Sequence, residues 1–189
     1  MGMKITADLI KTALLSYYRY KRGMVCVDEA WCFVGGETCD VLVDSETAFY
    51  DVEIKLTKSN LWHGEAKKRK HKVYKDPEAY YLKNQNYPNY FIICVPTNLY
   101  EEAVKWVEAT NKNYGIIEFS EDMFQSIFIT QARALSCISD TIWFRKNARK
   151  LHTNYSGKLK RVIYRRLSSA YTTNRQRGLL NAIRQQENN

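Results

Sequence analysis

Cys39-Asp40-Val41-Leu42-Val43-Asp44, followed after a short polar loop by Phe49-Tyr50-Asp51-Val52-Glu53-Ile54-Lys55, is the stretch on which the reading of this chain turns. Val41, Val43, Val52 and Ile54 take alternate positions, the period of two that marks strands, and residues 45–48 supply the connection of a hairpin. Strand side chains change face at each residue. Asp40 and Leu42 therefore share one face of the first strand, and Asp51, Glu53 and Lys55 share one face of the second. Pairing Asp44 with Phe49 puts Asp40 opposite Glu53, with Cβ atoms about 5 Å apart. Two carboxylates so close repel unless a cation lies between them. The hairpin thus reads either as a site for a divalent metal or as an exposed sheet surface carrying a Glu53–Lys55 ion pair.

An acid two residues before a lysine is weak by itself, since this composition gives about two such matches by chance. Two occur, Glu53-Ile-Lys55 and Glu65-Ala-Lys67. The second lies in a polar, Lys-rich stretch without alternation or a hairpin partner, and reads as a solvated helix or loop. Outward from the hairpin, Leu9, Ile10, Ala13, Leu14 and Tyr17 recur at helical spacing over residues 7–20, with Thr6 as N-cap and Gly23 as terminator. Residues 24–33 read as a strand and Gly35-Gly36 as a turn. A basic helix over 65–74, a Tyr-rich connection between Pro77 and Pro88, a strand over 90–95, a helix over 100–110 and a strand over 115–119 follow. Beyond Ser120 the pattern turns helical, over 123–135, 140–151 and 158–185, with Gly157 and Gly178 as interruptions.

Asp40, the hairpin and Glu53-x-Lys55 resemble the PD-(D/E)XK nuclease superfamily, with Cys39 where its signature has proline. The resemblance covers residues 6–119 and implies an α/β fold with a restriction-endonuclease-like core of helix, three-stranded meander, helix and strand. Residues 120–189 would form a basic helical extension packed on or beside that core. Glu65-Ala-Lys67-Lys68-Arg69-Lys70-His71-Lys72-Val73-Tyr74, with Asn89-Tyr90-Phe91-Ile92-Ile93-Cys94-Val95-Pro96 and the strand start Tyr114-Gly115-Ile116-Ile117, is similar to a small phage and bacterial DNA-repair subgroup. The resemblance implies metal-dependent hydrolysis of DNA in repair, recombination or phage DNA processing. Asp40, Glu53 and the carbonyl of Ile54 would hold Mg2+ or Mn2+, and Lys55 would act on the phosphate electrostatically. Asp8 and Glu29 stand where members often supply another acid, although a helix-terminal charge and an exposed strand residue explain them equally well.

Charge distribution agrees with a nucleic-acid partner. Residues 145–189 carry 12 Lys and Arg against the single Glu187, whereas the preceding 144 residues carry 17 against 19 acids. Phosphate contacts are expected from Lys58, Lys68, Arg69, His71, Lys72 and Tyr74 near the hairpin. Arg149, Lys150, Lys160, Arg161, Arg165 and Arg166 are expected to add more from the basic region. DNA is the expected partner, RNA stays open, and a homodimer is compatible with the sequence. A non-cleaving nucleic-acid-binding module on the same fold is the alternative. The 189 residues, 45% hydrophobic, can bury a sizeable core, and the longest apolar runs are strand-length. The N-terminus lacks the apolar stretch of a signal peptide, and five cysteines without a C-x-x-C pair read as free thiols. A cytoplasmic place in a bacterial or phage-infected cell is therefore expected.

Overall fold

A computed structural model describes residues 5–31, 37–76, 87–129, 137–153 and 155–187. The expected turn at Gly35-Gly36, most of the Tyr-rich connection and the later half of the 123–135 helix lie outside them. Six strands form one mixed sheet in sequence order: β1 (Val25–Trp31), β2 (Thr38–Asp44), β3 (Phe49–Ile54), β4 (Tyr90–Pro96), β5 (Gly115–Phe119) and β6 (Ile142–Lys146). The first three are an antiparallel meander, β3, β4 and β5 run parallel, and β6 returns antiparallel to β5. Parallel neighbours need crossovers. The first crossover contains α2 (Lys70–Lys75) and the second contains α3 (Tyr100–Thr110).

Apolar layers cover both sides of the sheet. On one side α1 (Ala7–Ser16) lays Ile10, Ala13 and Leu14 over Val41, Val43, Val52 and Ile92, with Phe124 of α4 (Glu121–Ile129) in the same layer. Thr6 caps α1 as expected, its Oγ1 accepting from Leu9 N at 3.2 Å. A wide π-helical turn over Tyr17–Lys21 continues it, and Gly23 at φ +64° closes it. On the other side α3 packs Ala103, Trp106 and Val107 over Phe91, Ile93 and Ile116. Leu159 and Ile163 of α5 (Gly157–Glu187) join that layer. The central β4 is buried on both faces, as its unbroken apolar run requires.

The basic region departs from expectation at one element. Residues 142–146, expected inside a helix, form β6. Ile142 pairs with Phe119 in the sheet, and Arg145 on β6 donates to the buried Glu118 at 2.6 Å. β-Branched and aromatic Ile142-Trp143-Phe144 favours an edge strand once β5 offers a partner, and no local pattern shows that offer. The sheet therefore continues past residue 119. In α5, Leu159 and Ile163 are buried, while the side chains over 164–177 are all exposed. This 31-residue helix is about 46 Å long at 1.5 Å per residue, and over residues 164–177 it runs clear of the core.

Candidate functional site

The hairpin has the register that its sequence predicts, from Asp44↔Phe49 to Val41↔Val52, the step before Asp40 and Glu53. Just there the alternation breaks. Val27 and Ala30 are three residues apart, as are Cys39 and Leu42, so strict alternation would put each pair on opposite faces, yet all four lie in one apolar layer. Glu29, at φ +44°, sits at the change of phase between the pairs Asp28↔Val41 and Ala30↔Cys39. Asp40 lies within the same break, and its Oδ2 accepts from the backbone N–H of Ile54 at 2.7 Å. That bond fixes the carboxylate across the ladder with about a third of the side chain exposed. Burial, then the negative charge of Glu53, pushes its carboxyl up from the ordinary value, although the Ile54 bond and Lys55 oppose this.

Glu53 and Lys55 point to the α2 side of the sheet and meet there the segment that links β3 to α2. Lys55 Nζ lies 2.9 Å from Glu53 Oε2, 3.0 Å from Glu65 Oε2 and 3.8 Å from Asp40 Oδ2. Lys68 Nζ lies 2.6 Å from Glu53 Oε2 and 2.9 Å from Glu65 Oε2. Lys70, on the first turn of α2 and fully buried, pairs with Asp51 at 2.8 Å, with Glu53, and with Glu65 at 3.5 Å. Four carboxylates (Asp40, Asp51, Glu53, Glu65) thus share three ammoniums (Lys55, Lys68, Lys70). Burial would neutralise these groups in isolation, and the opposing charges decide otherwise. Desolvation raises the Glu53 and Glu65 carboxyls, but the ammoniums, Lys70 foremost, outweigh it and hold both below the usual carboxylate range. Desolvation would likewise lower Lys55 and Lys70, and the carboxylates hold them above the usual lysine value, so both remain cations. At Asp51 burial wins over Lys70 and raises its carboxyl.

His71 and Tyr74 complete the cluster from α2. A carboxylate has no proton to donate, so His71 Nε2 donates to Glu65 Oε1 at 2.9 Å, while Nδ1 pairs with the Tyr114 hydroxyl at 2.8 Å. Tyr74 donates to Asp51 Oδ2 at 3.0 Å. These placements correct three expectations. His71 and Tyr74 are buried against Phe91 and Tyr114 and cannot meet a phosphate backbone from where they stand. Glu65, read as solvated, is fully buried beside the hairpin acids. One signal for it was present: Leu61, also buried, stands four residues earlier, on the same face of the helical turns over 60–67.

The remaining candidates lie around this centre. Lys68 is about a quarter exposed, and Arg69 and Lys72 are exposed beside it. Lys58 pairs with Glu102 at 3.1 Å. Arg149, Lys150, Arg161, Arg165 and Arg166 are exposed, Lys160 is half-buried, and Arg166 also pairs with Asp28 at 3.7 Å. Asp8 and Glu29 both pair with Lys11 of α1, at 3.6 and 2.7 Å, rather than with the ammoniums around Glu53. Among the described residues, no three His, Cys, Asp or Glu side chains stand so that they could hold a metal ion as they are. Ammonium groups fill the spaces between the carboxylates. Cys26 and Cys94 are free thiols, and no helix among the described residues is long and apolar enough to cross a membrane.

No family model matches the chain, and no curated protein matches it. Among solved structures, a protein of unknown function from Silicibacter pomeroyi is similar over 95% of both chains, with a TM-score of 0.55 and 12% sequence identity. At that identity the likeness concerns the α/β fold alone.

Proposed function

We propose that this protein is a Mg2+- or Mn2+-dependent nuclease of the PD-(D/E)XK type that hydrolyses DNA phosphodiester bonds. The observation that carries the reading is the convergence of Asp40, Glu53 and Glu65 on one ammonium, Lys55 Nζ, at the end of the β2–β3 hairpin. The element order supports it: α1, the β1–β3 meander, α2 and β4 follow the helix, meander, helix and strand of a restriction-endonuclease-like core. Asp40 and Glu53 offer hard carboxylate oxygens and Ile54 its carbonyl, a donor set that suits these cations. The donors fit on one condition, that an ammonium beside Glu53 withdraws. Bound there, the ion would lower the pKa of a coordinated water and offset charge on the scissile phosphate.

The chain's own residues do the rest. Lys55, held protonated by Glu53 and Glu65, is a fixed positive charge where the pentavalent phosphate gathers negative charge, and it acts by electrostatics rather than as a base. Asp40 is the most exposed of the four carboxylates, and with Lys68 it is where the cluster meets solvent. Exposed Arg69 and Lys72 next to the cluster, and Arg161 and Arg165 on α5, would hold phosphates on the same face of the sheet. The setting we propose is DNA repair, recombination or phage DNA processing. A second reading, a nucleic-acid-binding module that does not cleave, is favoured by one observation: both oxygens of Glu53 are already held by lysines.

A panel of labelled duplex, branched and single-stranded DNAs, each with Mg2+, Mn2+ or EDTA, tests the choice. We expect metal-dependent cleavage that Asp40→Ala abolishes. Binding without cleavage under all these conditions would select the second reading.

A further inference from the structure

We propose that Lys68 is a built-in counter-ion occupying a divalent-cation site whose ligands include Glu65 as well as Glu53, and that an entering ion displaces it. The inference rests on reading the cluster as a metal site, but not on cleavage. Lys68 Nζ sits between two carboxylate oxygens, Glu53 Oε2 at 2.6 Å and Glu65 Oε2 at 2.9 Å, both on side chains that are at most 1% exposed. Glu65 Oε2 is itself fully buried and accepts no well-directed hydrogen bond. The ammoniums of Lys55 and Lys68 abut it as ion pairs only. Its other oxygen takes the N–H of His71, which orients the carboxylate so that Oε2 faces Lys68, as a partner behind a metal ligand does.

Of the three ammoniums, Lys68 is the one built to leave. Lys55 issues from the end of β3 with a side chain 11% exposed, and Lys70 from α2 with none. Lys68 has extended backbone, φ −65° and ψ 135°, in the short link between the turn Glu65–Lys67 and α2, and 28% of its side chain already reaches solvent. Charge favours the exchange. Four carboxylates against three ammoniums leave one negative charge in excess. Replacing the Lys68 ammonium by a divalent ion leaves Lys55, Lys70 and two metal charges against the same four, which is neutral. Lys68, once released, would join exposed Arg69 and Lys72 at the rim, so that entry of the ion adds a positive charge where a phosphate backbone would lie.

The test uses the full chain without DNA. Lys68→Met and Lys68→Gln should each bind Mn2+, followed by calorimetry and by electron paramagnetic resonance, tenfold or more tightly than the wild type at the same pH and salt. Adding Glu65→Gln to Lys68→Met should remove that gain. On the unmodified protein, acetylation of Lys68 followed by mass spectrometry should rise when Mn2+ is added, while that of exposed Lys67 stays constant. This last measurement needs no variant to fold. A gain below tenfold in both Lys68 variants, a gain that survives Glu65→Gln, or Lys68 acetylation that Mn2+ leaves unchanged would each overturn the inference. Because none of these readouts involves DNA, a protein that passes them yet cuts no substrate would refute the nuclease reading and leave the displaced lysine standing.

Discussion

Lys70 is the deepest charge in the cluster, and Lys70→Met is the sharpest probe of how the cluster is held. The substitution keeps an unbranched apolar stem and removes an ammonium that pairs with Asp51, Glu53 and Glu65 at a fully buried position. Breaking a buried pair in this way costs about 3–5 kcal/mol. An independent ceiling comes from protonation, since an orphaned carboxylate can always escape by taking up a proton. From an unperturbed value of about 3.9, protonating Asp51 at pH 7 costs about 4 kcal/mol, at about 1.4 kcal/mol per pKa unit. The two figures agree. They also fix the pH dependence, because the orphaned carboxyl has a folded pKa raised above its unfolded value. Its penalty is fully present at pH 7 and shrinks as pH falls, to about 1.5 kcal/mol at pH 5. Asp51, whose carboxyl burial already pushes up, takes the proton first. Urea denaturation of wild type and variant at pH 7 and pH 5 measures the difference. A deficit under about 1 kcal/mol at pH 7, or one equally large at pH 5, would show that Lys70 does not neutralise the cluster.

Lys55→Met should lower cleavage by about 10²-fold or more while DNA affinity stays within a few-fold, since one ammonium is a small part of the basic surface but stands where charge develops; equal losses in both would remove its catalytic role. Glu65→Gln should flatten the acid limb of stability. Glu65 has its folded pKa held below the unfolded one, so its contribution is present above about pH 4.3 and is lost as pH falls towards the folded value, whereas the raised carboxyls of Asp40 and Asp51 act in the opposite sense in both proteins. Identical slopes between pH 5 and pH 3 in wild type and variant would refute that sign. A truncation after Tyr164 keeps β6, Leu159 and Ile163, so it should fold by circular dichroism while removing Arg165, Arg166, Arg175, Arg177 and Arg184. If these arginines neutralise phosphates, the slope of log affinity against log salt should fall by about 0.9 for every phosphate no longer neutralised, and an unchanged slope would assign the helix to another role.

The hairpin was legible because its information is local. Alternating Val41, Val43, Val52 and Ile54, with a four-residue loop, leave one register that buries the apolar face, and Asp44 pairs with Phe49 accordingly. The cap at Thr6 and the stop at Gly23 were local in the same way. Glu65, His71, Lys70 and Tyr74 were not, because a charged stretch reads as solvated until groups from elsewhere neutralise it. Lys70 is buried against Asp51, 19 residues earlier, and His71 against Tyr114, 43 residues later. The break in alternation at Glu29 and Asp40 and the pairing of β6 on β5 likewise depend on a neighbouring strand. Sequence by itself determined which carboxylates and which lysine share the hairpin. Tertiary structure decided which charges leave water together, because the desolvation of each ion is offset only when its counter-charge arrives from another element at hydrogen-bonding distance.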